Sequence, residues 1–345
     1  MAELGTALLG AGVKGAARIA ALRRTQEWQL PLMPRLELVI DTDAAAAAEL
    51  AAGTDAETTD DWRDVLGDDR VELLVNAAPA SRHVEPTIDA AQSGTHVLCE
   101  APLGRDSAEC QVLYRACEDA GVTHMCGFPL RFLPPLRMAR ELLVEGALGD
   151  IWHVRGHYLR SISAAEDDDA AGVVGRIGPE LVDVCRYLFG EIDAISAVGR
   201  RFGTGAHAHD AIGAVAEFSS GAIGTFHIGR VSSDRDRFAL AIAGSRGTIA
   251  FDAEQLGELQ VDRNGHGLRT VAATAGAHEA SRGRFPDDHV VTPRDAQALE
   301  LAHLLSAIDE RRSIGPVGAT FLDGYYATHL WESLIDSAGA TSPSR

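Results

Sequence analysis

Short apolar runs alternate with helix-type patterns over the first third of the chain. The apolar runs occupy residues 4–9, 36–40, 71–77, 95–99 and 123–127. Between them, residues 16–24, 44–52, 82–92 and 107–120 have helix-favouring compositions and end near glycines. Parallel strands need a crossover between them, so this alternation predicts a doubly wound α/β domain with a parallel sheet covered on both faces.

The pattern changes after Gly127, where strand-like runs are separated by short glycine-rich turns. These runs are 151–161, 194–201, 211–219, 222–230, 237–243 and 248–252. Short turns favour antiparallel pairing, so the second half is predicted to be an α+β domain with an open, mostly antiparallel sheet. Helices are predicted at 135–145, 179–189, 295–311 and 319–337, and residues 264–288 are predicted to be loop.

Gly10 to Gly15, with the sequence Gly-Ala-Gly-Val-Lys-Gly, directly follows the first apolar run and precedes the first predicted helix. In a strand–turn–helix setting this glycine spacing is typical of a dinucleotide site. Gly10 permits the tight turn, Gly12 lets the backbone approach a pyrophosphate, and Gly15 allows close helix–strand packing. The alternative is a glycine-rich turn that binds no cofactor.

Val13 and Lys14 belong to the same loop, and the N–H groups at this helix N-terminus are expected to face phosphates. The Lys14 side chain is expected to contact phosphate or solvent rather than substrate. It is the only lysine in the chain.

Asp41 ends the second apolar run, where a carboxylate can accept hydrogen bonds from a ribose diol. It would repel a 2′-phosphate, so the sequence predicts NAD rather than NADP. Asp41 lies 26 positions after Gly15, whereas about 20 is usual. We therefore expect residues 28–35 to loop out, with Asp43 as the alternative ribose ligand.

Composition excludes several partners. The formal net charge of the 345-residue chain is -19, and such a surface repels nucleic acid and anionic lipid. No apolar stretch approaches the roughly 18 residues of a membrane span. The five cysteines form neither Cys-x-x-Cys nor a zinc-type cluster with histidine, so we expect reduced thiols, no metal and a cytoplasmic protein.

Several segments together resemble the Gfo/Idh/MocA family, the glucose–fructose oxidoreductase and inositol dehydrogenase group. They are 76–79 with His83, Gly94 to Leu103, Arg131-Phe132, Gly221 to Thr225 and Gly244 to Thr248. The resemblance implies a Rossmann domain over 1–127, a substrate and oligomerisation domain over 128–339, and a flexible tail over 340–345.

The same resemblance implies that Ala78, His83 and Glu100 lie on the cofactor side of the site. It further implies a small sugar-like or polyol-like substrate. A homo-oligomer that forms through the C-terminal sheet is also expected.

The chain departs from the family at the residues that carry out proton transfer in the family. The lysine of the "EKP" segment, which hydrogen-bonds the reacting oxygen in the family, is Ala101 here. The helix motif "D-x-G-x-H-x-x-D" corresponds to 176–183, where Arg176 and Glu180 replace the aspartate and histidine. From that motif Gly178 and Asp183 remain.

Glu180 is the candidate base for a substrate hydroxyl. Arg176 lies four residues earlier on the same helical face, so the two form either a plain ion pair or a pair that grips an anionic substrate group. His157 is a further candidate, and Tyr158 points the opposite way on its strand, so at most one of them faces the site.

His207 and His209 have a spacing that could hold a metal, but solvated histidines are the simpler interpretation. Cys99 is interpreted as a buried structural thiol, because no nearby group would clearly activate it.

Two classes of function follow. The first is an NAD-dependent oxidoreductase of a sugar, sugar nucleotide or cyclic polyol with an altered proton relay, and the lysine-poor composition suggests secondary metabolism. The second is an NAD-binding pseudoenzyme or helper subunit of a partner enzyme. A lyase or hydrolase that uses transient oxidation by bound NAD is a variant of the first.

Overall fold

The structure is a computed structural model that describes residues 2–161, 172–202, 209–230, 236–279 and 281–340. The chain divides into two compact units. The first unit comprises Met1–Phe132 and Pro293–Thr328, and the second comprises Leu133–Thr292 and His329–Arg345.

The first unit contains a parallel sheet of six strands within the described residues, in the order β3-β2-β1-β4-β5-β6. The strands are β1 Ala2–Leu9, β2 Leu32–Ile40, β3 Glu57–Thr59, β4 Leu73–Asn76, β5 His96–Glu100 and β6 His124–Gly127. The strand order reverses between β1 and β4, and such a switch point opens a ligand crevice at the carboxyl ends of the strands. The predicted doubly wound fold is confirmed.

Helices cover this sheet, and one of them comes from near the end of the chain. They are α1 Val13–Gln26, α2 Ala44–Ala51, α3 Val84–Gln92, α4 Ser107–Ala120 and α7 Pro293–Asp309. Leu301 and Leu305 of α7 share a buried core with Leu8 of β1 and Leu98 of β5. The first unit therefore includes 293–328, which the sequence interpretation had placed in the second domain.

The second unit contains an eight-stranded sheet within the described residues, in the order β14-β13-β12-β11-β7-β10-β9-β8. The strands are β7 Ile151–Arg160, β8 Ile192–Arg200, β9 Ala211–Phe218, β10 Ile223–Arg230, β11 Arg237–Gly244, β12 Gly247–Asp252, β13 Glu258–Arg263 and β14 Arg269–Ala272. Neighbours pair antiparallel except for β7 and β10, which confirms the mostly antiparallel prediction. The remaining helices are α5 Pro134–Val144, α6 Gly172–Phe189 and α8 Phe321–Ala340.

Two local predictions are wrong. Residues 28–35 do not loop out, because α1 continues to Gln26 and β2 already begins at Leu32, where it pairs with Ala2. The extra residues before Asp41 therefore lie in a longer helix and strand. Residues 264–288 are not all loop, since 269–272 form β14 against β13. The tail at 341–345 lies outside the described residues.

Gly178 of α6 is needed for close packing in the second unit. A Cβ at this position would overlap the indole ring of Trp331 in α8. The glycine that survives from the family's helix motif therefore has a packing role here.

We predict that Gly178→Ala destabilises the protein by about 1–3 kcal/mol, because it overpacks the contact with Trp331. The melting temperature should fall by about 3–10 °C in a circular dichroism melt. Gly339→Ala is the matched control, since a Cβ at this α8 glycine meets nothing within 4 Å. If Gly178→Ala melts no lower than this control, the packing role is refuted.

Candidate functional site

The glycine loop forms a cradle at the carboxyl end of β1. Gly10 has φ +98°, and a Cβ there would lie 2.7 Å from the backbone nitrogen of Ala78. A Cβ at Gly15 would overlap the carbonyl oxygen of Gly10. At Gly12, in contrast, a Cβ would meet nothing within 4 Å. The first and third glycines thus allow close packing, and the second leaves open space for a ligand.

The N-terminus of α1 opens onto this space. Gly12 is the N-cap and provides no side-chain cap, so the first N–H groups of the helix remain available to an anion. Val13, at the first helical position, is 84% exposed. An apolar side chain this exposed beside an uncapped helix end is consistent with a site that a ligand covers.

A cavity of about 570 Å³ lies beside the cradle within the first unit, and its volume is within the range of small-molecule sites. The residues lining it include Gly10, Asp41, Trp62, Ala78 and Arg82. These residues can hold a dinucleotide: the loop offers N–H groups to phosphates, and Asp41 offers a carboxylate to a ribose.

Asp41 and Asp43 have different roles. The Asp41 carboxylate accepts a hydrogen bond from the backbone N–H of Ala11 at 2.6 Å, so it is tied to the glycine loop. The Asp43 carboxylate instead caps α2 by accepting from the N–H groups of Ala45 and Ala46. Asp41 lines the cavity, so the structure favours it over Asp43 as the ribose ligand.

His83 braces the loops at the ends of β4 and β5. Its ring nitrogens lie 2.8 Å from the Ala78 carbonyl oxygen and 3.0 Å from that of Leu103. Burial lowers the pKa of His83, so the ring is neutral at pH 7 and donates to only one carbonyl at a time. The side chain is fully buried, so it supports the loops around the site from within the protein.

Glu100, at the end of β5, takes part in a buried ionic cluster. The Arg18 guanidinium of α1 donates through Nε to Glu100 Oε1 and through Nη1 to Glu300 Oε2 of α7, the latter at 2.6 Å. All three side chains are at most 7% exposed. Burial lowers the pKa of Arg18, but the two carboxylates outweigh it and raise that pKa above its ordinary value.

Lys14 is partly exposed and also reaches the end of β5. Its ammonium donates to the carbonyl oxygen of Ala101 at 2.5 Å and lies 3.9 Å from Glu100 Oε2. The lysine of the glycine loop therefore lies beside the residue at which the family's lysine is missing.

In the second unit, the Tyr158 hydroxyl of β7 donates to Glu180 Oε2 of α6 at 2.8 Å. Burial, and then the charge of Glu180, raise the pKa of Tyr158, so this hydroxyl keeps its proton. Tyr158 is a site residue that sequence reasoning left unassigned, although strand alternation had placed it opposite His157.

The structure does not bring His157 to Glu180. His157 pairs with His227 and Ala239 on the neighbouring strands, on the sheet face opposite Tyr158. Burial, and then Arg237, lower the pKa of His157. It therefore lies on a different surface from the predicted base.

The remaining candidates lie as follows. Arg176 is half-buried on α6, and Asp183 is fully buried one turn beyond Glu180. His207 lies outside the described residues, and within the described ranges no cluster of potential ligands could hold a metal ion. Cys99 is fully buried, and burial raises the pKa of its thiol.

A parallel sheet with a glycine cradle, an uncapped helix and a carboxylate at the end of β2 defines a dinucleotide-binding protein. Residues 4–128 match the oxidoreductase family with an NAD-binding Rossmann fold, and residues 136–250 match the GFO/IDH/MocA C-terminal domain. The chain belongs to the Gfo/Idh/MocA oxidoreductase family, and its N-terminal domain is an NAD-binding Rossmann domain.

Individual relatives extend this comparison. The chain is 29% identical to levoglucosan dehydrogenase from Pseudarthrobacter phenanthrenivorans over 99% of this chain and 98% of that protein. A levoglucosan dehydrogenase structure in complex with NADH and levoglucosan matches with a TM-score of 0.90 and 28% identity, covering 99% and 98% of the two chains. The 2,7-anhydro-N-acetylneuraminate hydratase of Escherichia coli is 28% identical over 54% of this chain and 52% of that protein.

We predict that Gly12→Val weakens NADH binding at least tenfold, about 1.4 kcal/mol, because the side chain fills the open cradle. The backbone at Gly12 is extended, so valine fits without strain. Fluorescence titration with NADH measures the dissociation constant. Gly213→Val is the control, since Gly213 also has open space around its Cβ. Equal affinities for the two variants would contradict the cradle assignment.

The buried cluster predicts a pH dependence of stability. Burial raises the pKa of Glu300 from its ordinary 4.5 to about 7. A raised folded-state pKa means that the folded protein holds this proton more tightly than the unfolded chain does. The resulting stabilisation is complete below about pH 4.5 and is lost as pH rises through about 7.

We therefore expect the melting temperature of wild-type protein to fall more than that of Glu300→Gln as the pH rises from about 4.5 to above 7. Differential scanning fluorimetry in matched buffers measures the two slopes. Parallel slopes would mean that Glu300 has the same proton affinity in the folded and unfolded chains.

Proposed function

We propose that the protein is an NAD-dependent oxidoreductase that acts on a sugar or polyol. The observation that carries this proposal is the open space at Gly12 beside an uncapped helix and a 570 Å³ cavity. Similarity to levoglucosan dehydrogenase over 99% of the chain supports the substrate class. When bound, NAD supplies the acceptor for a hydride from a carbon–hydrogen bond.

Residues of the chain bind the cofactor, accept the substrate proton and orient the substrate. Asp41 accepts hydrogen bonds from the ribose, and Ala78 lines the pocket. Glu180 takes the hydroxyl proton of the substrate as a carboxylate general base. Tyr158 acts as a positioning residue that holds Glu180. Arg176, four residues before Glu180 on α6, is proposed to orient the substrate's polar groups.

A second candidate is a lyase or hydratase in which oxidation is transient and the cofactor is restored in each turnover. The match to 2,7-anhydro-N-acetylneuraminate hydratase favours it. A net dehydrogenase accumulates NADH, whereas this alternative converts the sugar without accumulating NADH. Product analysis beside the absorbance assay distinguishes the two.

Assembly remains a prediction. We propose a homo-oligomer formed through the sheet of the second unit, and a partner enzyme remains the alternative role for that surface. No helix among the described residues has both the length and the apolarity that a membrane crossing requires.

The proposal is tested with NAD and a panel of sugars and polyols that includes levoglucosan and L-sorbose. Glu180→Gln should lower kcat/KM by about 100-fold or more, since a general base contributes this much. Tyr158→Phe should lower it by about tenfold, the loss of about one hydrogen bond.

His157→Gln is the matched control and should stay within about threefold of wild type, because His157 lies on the other sheet face. Wild-type protein that binds NADH and converts no sugar would support the helper-subunit alternative. A Glu180→Gln variant with full activity would remove Glu180 from the proposed mechanism.

A further inference from the structure

The ammonium of Lys14 lies beside Ala101, the residue that replaces the family's lysine. It donates to the carbonyl oxygen of Ala101 at 2.5 Å and lies 3.9 Å from Glu100 Oε2. No other lysine exists in the sequence, so this is the sole side-chain amine of the protein. The contact spans 87 positions in the chain.

The geometry of α1 directs Lys14 to this point. Lys14 and Arg18 are four residues apart and therefore share one face of the helix. Arg18 is fixed by Glu100 on β5 and by Glu300 on α7. The same helix face thus presents both cations to the end of β5, with the Glu100 carboxylate between them.

The reach of a lysine at position 101 covers the same region. A carbonyl oxygen lies about 2.4 Å from its own Cα, so the Lys14 ammonium is at most about 5 Å from the Cα of Ala101. An extended lysine side chain places its own ammonium about 6 Å from its Cα. The two ammonium groups would therefore lie at similar distances from the Cα of residue 101.

Lys14 also retains hydrogen-bonding capacity. An ammonium has three donors, and the described contacts with Ala101 and Glu100 use at most two of them. The side chain is 42% exposed, so the third donor can meet a ligand.

We propose that Lys14 supplies the charged hydrogen-bond donor to the reacting substrate oxygen that Ala101 cannot provide. This inference rests on the oxidoreductase function proposed above. In such an oxidation the substrate O–H bond would break with its proton going to a carboxylate base, the C–H bond would break with its hydrogen and electron pair leaving as hydride to bound NAD, and a C=O bond would form. The Lys14 ammonium stabilises the negative charge that develops on that oxygen.

A phosphate-binding role for Lys14 makes a different prediction. Loss of a phosphate contact weakens cofactor binding, whereas loss of a donor to the reacting oxygen lowers kcat. The contact with the Ala101 carbonyl favours the second role, because it directs the ammonium to the end of β5.

The test compares wild type, Lys14→Met, Ala101→Lys and the double variant Lys14→Met/Ala101→Lys. Lys14→Met should lower kcat about 100-fold or more, as expected for one lost donor at a developing oxyanion. The NADH dissociation constant should change less than about threefold, which corresponds to about 0.7 kcal/mol. The kcat of the double variant should be at least tenfold higher than that of Lys14→Met. Ala101→Lys alone should not raise kcat above that of wild type.

Two outcomes would overturn the inference about Lys14, and a third would contradict the proposed function. If the NADH dissociation constant of Lys14→Met rises while its kcat is unchanged, Lys14 is a phosphate ligand and the inference is overturned. Failure of Ala101→Lys to rescue a stably folded double variant also overturns it. A wild-type protein that turns over none of the sugars contradicts the proposed function itself, and the inference fails with it.

A spectroscopic readout is independent of turnover. Reductive methylation with ¹³C-formaldehyde labels only Lys14 and the N-terminal amine, because no other lysine is present. The Lys14 resonance should shift when a sugar that wild type oxidises is added to the NADH complex. A resonance that shifts with NADH and does not shift further with that sugar would overturn the inference.

Discussion

The buried guanidinium of Arg18 is the interaction on which the geometry of the cofactor domain depends. It joins α1 to Glu100 at the end of β5 and to Glu300 of α7. A buried charge that loses its partner costs about 3–5 kcal/mol, so these three elements are held in one arrangement. Gly127 is part of the same constraint, because a Cβ there would lie 2.5 Å from Arg18 Nη2.

This constraint connects the cofactor loop to the chemistry. Arg18 fixes the face of α1 that carries Lys14, and it holds the Glu100 carboxylate beside the Lys14 ammonium. The glycine cradle begins the same helix, so cofactor loop and charged donor belong to one rigid element. A chain that has lost the lysine of the "EKP" segment therefore still presents a cation at that segment. Under the proposal made above, the altered motif reflects a relocated donor rather than a lost one.

The sequence predicted the features that local patterns encode. The alternation of apolar runs and helices predicted the parallel sheet, and the glycine spacing predicted the cradle. The ionic cluster was not predictable, because Arg18 and Glu300 are 282 residues apart and charged helix positions are ordinarily exposed. The contacts of Lys14 with Ala101 and of Tyr158 with Glu180 depend on tertiary packing in the same way. For α7, the sequence predicted a helix without showing which sheet it covers.

A crystal structure of wild-type protein with NADH bound is the most direct test of this account. We predict that Lys14 Nζ lies within hydrogen-bond distance of the Ala101 carbonyl oxygen, with Arg18 buried between Glu100 and Glu300. A Lys14 side chain turned to the phosphates of NADH, or an Arg18 side chain exposed to solvent, would contradict it.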